Sequence, residues 1–175
     1  MFPPRDQWFG GGALAIIRIA MGVLWLTNLS WKLPPSFDCD PGEGDGLCYW
    51  MGQMAEHSQL GLHAEFVEEV ALPNYEVFGY FVVASEALIG VLLLLGLFTR
   101  FAGLLGLLMS LNLYIGLARA PEEWIWSYAM MALLHLVILA LAAGRYFGVD
   151  AILHERFSRS RGSDNRLATA GAVAT

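Results

Sequence analysis

Residues 85–112 read SEALIGVLLLLGLFTRFAGLLGLLMSLN. Two apolar blocks meet here across a very tight connection, Gly96–Arg100, which is the sequence signature of a helical hairpin. A helix rises about 1.5 Å per residue, so blocks of about 20 apolar residues match a hydrocarbon core about 30 Å thick. Traced outward, the first block covers about 74–97 and the second about 99–119, and two more blocks of the same kind lie at about 11–31 and 123–147. The predicted fold is therefore an all-α integral membrane protein, a four-transmembrane-helix bundle made of two helical hairpins.

Composition agrees: the 175 residues are 57% hydrophobic and only 15% charged, too apolar for an ordinary soluble domain. A cleaved signal peptide fits the first block poorly. Arg18 interrupts it, it is longer than a usual apolar signal core, and no small-x-small site follows before Lys32. The membrane domain is expected over residues 1–154, and 155–175, ending in RGSDNRLATAGAVAT, read as a flexible cytoplasmic tail.

Basic residues are retained on the cytoplasmic side of short loops. Arg5, Arg100, Arg145, Arg156, Arg159, Arg161 and Arg166 share one side, and only Lys32 and Arg119 lie on the other. This bias predicts a multi-pass protein of the cell (inner or plasma) membrane with both termini in the cytoplasm. Eleven of the sixteen carboxylates fall outside, which against those two cations leaves the external face at −9. The basic residues form a juxtamembrane cluster rather than a patch interleaved with aromatics, so no nucleic acid is expected as a partner.

Residues 32–73 form the external loop. Its first part, PPSFDCDPGEGDGLCYW, has the composition of turns, and its second, about Tyr49 to Val70, has helical spacing. Leu62, Phe66 and Val70 fall on one side of that short amphipathic helix and Glu65, Glu68 and Glu69 on the other, which suits a position on the membrane surface or over the bundle. Cys39 and Cys48 lie where thiols oxidise, and a disulfide between them would hold the Gly-rich turn. A redox-active dithiol that exchanges with a partner or with quinone is the other reading of the pair. DCDPGEGDG has the carboxylate density of a calcium loop but lacks the bidentate Glu of an EF-hand, so no metal is expected.

Charges at bilayer depth cost roughly 2.5–3.5 kcal/mol each and need a reason to be there. Measured from the cytoplasmic face, Arg18 falls roughly 10 Å deep and Glu86 roughly 16 Å on neighbouring helices, a gap that an Arg side chain covers, which predicts a buried Arg18–Glu86 ion pair. Either the pair holds the helices in register, or it lines a cavity where Arg18 donates to a ligand oxygen and Glu86 carries a proton. Small residues on the stripe Gly79, Glu86, Gly90 and on Gly103, Gly106, Ser110 permit close helix approach, and Asn28 and Asn112 offer interhelical amide hydrogen bonds. His135 and Tyr128 share a face of the fourth block, as packed core groups or as contacts for a quinone. No second intramembrane His exists for a bis-His haem, and no flavin or iron–sulfur motif is present. Trp31, Tyr49, Trp50, Trp124 and Trp126 mark the outer interface, with Trp8 and Tyr146 the inner one.

Several of these segments together resemble the DoxX/DoxD family of small four-helix membrane proteins. They are IRIAMGVLWLTNLSWKL with Arg18, Gly22 and Lys32, FVEEVALPN, the hairpin with Glu86, Gly90, Gly96, Leu97, Thr99 and Arg100, PEEWIWSYAMM, and LAAGRYFGVDAIL. The resemblance implies a membrane subunit of a quinone-linked redox system in thiosulfate, sulfur or thiol oxidation, with a partner membrane or peripheral redox protein, and it leaves oligomers open. On that reading, quinone is the implied cofactor, Glu86 and Arg18 are the candidate catalytic groups, and Arg18, Glu86, His135 and Tyr128 are the candidate quinone contacts. A non-catalytic structural or assembly subunit of a larger membrane complex is the alternative. The acidic Cys39–Cys48 loop is not carried over from the family, and a face at −9 would repel an anionic substrate.

Overall fold

The computed structural model describes residues 5–39, 46–121 and 123–160. All regular structure among them is helical. In chain order the α-helices are α1 Arg5–Thr27, α2 Leu47–His57, α3 Gly61–Phe66, α4 Tyr75–Leu95, α5 Thr99–Leu117, α6 Ile125–Leu141 and α7 Val149–Ser160. Among the described residues, three helical stretches are long and apolar enough to cross a membrane: Phe9–Thr27, Gly61–Leu95 and Thr99–Leu117. The fourth expected span is represented by the shorter apolar helix Ile125–Leu141. α1 packs on α4, α4 on α5 and α5 on α6, with α1 also touching α6.

Small residues set these contacts. A Cβ on Gly22 would come within 3.0 Å of the Gly90 carbonyl, and one on Gly90 would meet the Leu26 side chain at 2.6 Å. Gly22 and Gly90 therefore mark the level at which the α1 and α4 backbones come closest, which fixes the register of the antiparallel pair. On the other side, Gly103 backs onto the α6 backbone at His135 and Leu139, and Gly106 lies flat against the His135 ring. Met21, Trp25, Ile89, Leu93, Ala102, Ile138 and Ala143 form the core between the four helices.

The α4–α5 hairpin turns on Gly96, whose φ of +65° closes α4 in the left-handed region that suits glycine. α5 has no side-chain cap from its own neighbours; Asp150 of α7 supplies it. The fully buried Asp150 carboxylate accepts from the Phe98 amide at 2.8 Å, the Thr99 amide at 2.9 Å and the Thr99 hydroxyl at 2.7 Å, while its own amide donates to the Gly96 carbonyl at 2.8 Å. A carboxylate at a helix N-terminus satisfies orphan amides and the positive end of the helix dipole together.

Several boundaries differ from those read in the sequence. α1 begins at Arg5 rather than near 11, because the helix runs through Gly10–Gly12, with Gly11 seated against the Tyr146 ring. The fourth block stops at Leu141 instead of 147, where Ala142 turns left-handed at φ +46°. Residues 155–160, expected to begin a flexible tail, belong to α7; the rest of that tail lies outside the described residues.

The external excursion departs furthest. Instead of one amphipathic helix over 49–70, α2 ends at His57, and α3 runs on through a π-helical turn at Val67–Ala71 and a 3-10 turn at Leu72–Asn74 into α4. The break docks on α5: the Gln59 amide donates to the Ile115 carbonyl at 2.9 Å and its side-chain amide to the Tyr114 carbonyl at 2.8 Å, which occupies acceptors in the last turn of α5. Val67 and Ala71 face inward, whereas Leu62, Phe66 and Val70 are exposed, Leu62 at 81%. Leu62 and Val70 of the apolar side seen in the sequence thus face outward, whereas the half-exposed Phe66 packs edge-on to Phe78 of α4.

Because Asp150 caps a helix that cannot cap itself, Asp150→Ala should cost about 3 kcal/mol by stranding buried amides, and Asp150→Asn clearly less. Chemical denaturation of helicity in detergent checks both; equal losses would remove the capping argument.

A cavity walled by a buried ion pair

Near the end of the bundle that carries residues 32–73, the four long helices and the excursion border a half-open cavity of about 920 Å³. Its wall is predominantly apolar, with Leu105, Met109 and Leu113 from α5, Met131 from α6, and Met51 and Val67 from the excursion. Polar groups are few and come from separate elements: Lys32, Glu86, Asn28, Asn112, His63, and Tyr128 with Glu123.

Glu86 is 2% exposed and Lys32 is 3% exposed. The Lys32 ammonium donates to Glu86 Oε1 at 2.8 Å and also lies 2.8 Å from Oε2, which accepts no directed hydrogen bond among the described residues. Lys32 reaches this position because the chain after Thr27 coils back in tight turns, with the Ser30 amide bonded to the Thr27 carbonyl and the Lys32 amide to that of Leu29. The ammonium also sits 4.4 Å from the Trp31 ring centroid.

The predicted Arg18–Glu86 pair is therefore not formed. With Gly22 opposite Gly90, Arg18 falls opposite Leu94, eight residues from Glu86 along α4, a separation of about 12 Å. The Arg18 guanidinium instead donates to the carbonyls of Leu93 and Leu94, the latter at 3.1 Å, and to that of Phe147 at 3.3 Å. It closes the C-terminal end of α4, where carbonyls lack helical partners, and does not line the cavity.

His135 lies behind the cavity wall. The Trp25 indole N–H donates to His135 Nε2 at 2.9 Å, so Nδ1 carries the proton and donates to the Met131 carbonyl at 2.7 Å. Both ring nitrogens are occupied, the ring is fully buried, and Trp25 is the member of the pair that lines the cavity. Tyr128 does line it, with its hydroxyl donating to Glu123 at 2.7 Å. His63 bridges Asn112 at 3.1 Å and the Ser58 hydroxyl at 2.9 Å and ties the excursion to α5.

Cys39 and Cys48 are joined in a disulfide with Cα atoms 5.2 Å apart. Most of the suggested calcium segment, residues 40–45, lies outside the described residues; among those described, no group of three or more His, Cys, Asp or Glu is placed to hold a metal.

Of the site residues expected from the sequence, Glu86 and Tyr128 reach the cavity, whereas Arg18 and His135 support the helices around it. Sequence reasoning missed Lys32 as the partner of Glu86, Trp25 as a wall residue, and Glu123 as the acceptor for Tyr128. Glu123 could have been found from its spacing, five residues before Tyr128 at the start of an apolar helix.

Three helices long and apolar enough to cross a membrane, with a fourth shorter apolar helix packed among them, define a multi-pass membrane protein. The DoxD family model, described as "TQO small subunit DoxD", matches residues 14–169, and the chain belongs to the DoxD family. No curated protein and no solved structure matches it.

If His135 positions Trp25, then His135→Leu should cost about 1–3 kcal/mol by leaving a buried indole N–H unpaired, while His135→Gln, which keeps an acceptor, should lose less. Thermal unfolding in detergent measures the order; a reversed order would contradict the assignment.

Proposed function

We propose that this chain is a multi-pass plasma-membrane subunit of a quinone-linked redox system, in which α1, α4, α5 and α6 cross the bilayer and both termini are cytoplasmic. The cavity opens in the outer half and receives the quinone ring. The cavity itself carries the reading: its volume and apolar wall are those of a small-molecule site, and its few polar groups converge from separate elements. Family membership supports it, since the matching model is described as a small subunit of TQO, a thiosulfate:quinone oxidoreductase.

The residues present fit a quinone. A ring with two carbonyl oxygens needs apolar walls and a small number of donors, and Lys32, Asn28 and Asn112 are donors on the wall. Glu86 Oε2 is a buried acceptor with spare capacity. When bound, a quinone supplies a two-electron, two-proton acceptor. Lys32 orients one carbonyl, Glu86 takes up or gives a proton within the low-dielectric wall, and Tyr128 with Glu123 lies on the side toward the excursion. Apolar side chains keep bulk water away from these groups.

The electrons originate in a separate donor. Glu56, Glu65, Glu68 and Glu69 are exposed on the excursion, so an anionic donor such as thiosulfate is better handled by a partner subunit than by this face. A second reading, a non-catalytic assembly subunit, draws on Arg18, Asp150 and His135, whose interactions are spent on holding helices together.

Calorimetric titration of the protein in lipid nanodiscs with a short-chain benzoquinone should give saturable one-to-one binding. Filling the cavity with Met109→Trp should weaken it at least about tenfold, equivalent to about 1.4 kcal/mol, with helicity unchanged. Absence of binding to the parent protein would leave the assembly reading.

A further inference from the structure

We infer that Cys39 and Cys48 are a dithiol–disulfide couple that exchanges electrons with the ligand of the cavity, so that the chain itself oxidises thiols presented at its excursion end. This inference rests on the quinone reading of the cavity.

The placement of the bond is the first support. Cys39 packs against a cluster of Phe37, Leu47, Met51, Val67 and Ala71, and all of these but Phe37 line the cavity. The cluster on which Cys39 rests is therefore part of the cavity wall. Cys48 and Met51 are three residues apart on α2 and share a helix face, so a freed Cys48 thiol projects beside a residue that borders the cavity. Both cysteines are only partly buried, which leaves them within reach of a thiol arriving from water.

The second support is that the two segments carrying the cysteines are also joined by contacts other than the bond. The Leu47 amide donates to the Phe37 carbonyl at 3.0 Å and closes the same stretch of chain. Phe37 itself is fully buried, seated against Gly79 of α4 and edge-on to Tyr80 at 5.1 Å between ring centroids. With these contacts in place, the cysteines stay close together when reduced, as a couple that cycles requires.

The chemistry balances in two steps. Two incoming thiols reduce the Cys39–Cys48 bond: a new disulfide forms between the donors, and the electron pair and two protons appear as two cysteine thiols. The cysteine pair is then reoxidised by a quinone, its S–S bond re-forms, and two electrons and two protons pass to the quinone oxygens. The net reaction turns two thiols and a quinone into a disulfide and a quinol, with Glu86 on the cavity wall available to pass on one of the protons.

The test uses the full chain in nanodiscs. It is reduced with dithiothreitol, freed of reductant without oxygen, and mixed with a decyl-substituted benzoquinone; maleimide mass-tagging counts thiols, and ultraviolet absorbance counts quinol. Both thiols should disappear with the formation of one quinol per chain. The double variant Cys39→Ser, Cys48→Ser should bind the quinone within about twofold of the parent and form no quinol. Thiols that persist while calorimetry registers bound quinone would overturn the inference and leave the quinone reading standing; a chain that binds no quinone would remove both. A double variant that loses its helicity would mark the bond as structural and also overturn the couple.

Discussion

Close approach of two backbones at Gly22 and Gly90 decides where every buried charge near α4 must find a partner. Once those glycines face each other, Arg18 is level with the end of α4 and Glu86 is level with Leu26. A carboxylate at that depth, with no cation opposite it on α1, must be protonated or be reached by one from further along the chain. The turns after Thr27 bring Lys32 back to it, and the resulting pair lies on the wall of the cavity. Packing of small residues thus determines where the polar part of the site is built.

The two ends of the bundle consequently have different characters. At the hairpin end, Arg18 donates to backbone carbonyls, Asp150 accepts from the Phe98 and Thr99 amides, and the fully buried Thr99 side chain accepts from the Gly144 amide at 3.1 Å. That end is closed. At the excursion end the helices are held apart by Trp25 against His135 and roofed by α2 and α3, and the space between is the cavity. The apolar chamber therefore lies at one end of the bundle only.

Much of the fold was legible because hydrophobic blocks of spanning length and the Gly96 turn are local signals. The hairpin 74–119 came within two residues of its observed helices for that reason. Pairing between helices distant in sequence was not legible in the same way. The depth estimate that joined Arg18 to Glu86 assumed that all helices start and stop in common planes, yet α1 starts at Arg5, and α4 is the end of a continuous helical stretch of 35 residues. Lys32 was counted as a loop cation because nothing local announces that the chain folds back. The outward orientation of Leu62 and Val70 was hidden for a related reason: periodicity gives a helix two sides without saying which one meets protein.

The central claim is that Lys32, and not Arg18, is the counter-charge of Glu86. Two double-mutant cycles in detergent, Lys32→Met with Glu86→Leu and Arg18→Met with Glu86→Leu, measure both couplings by unfolding free energy. The account predicts a coupling of about 3 kcal/mol for the first pair, because each single change strands a buried charge, and one within about 0.5 kcal/mol of zero for the second. Strong coupling of Arg18 to Glu86 with none for Lys32 would contradict it.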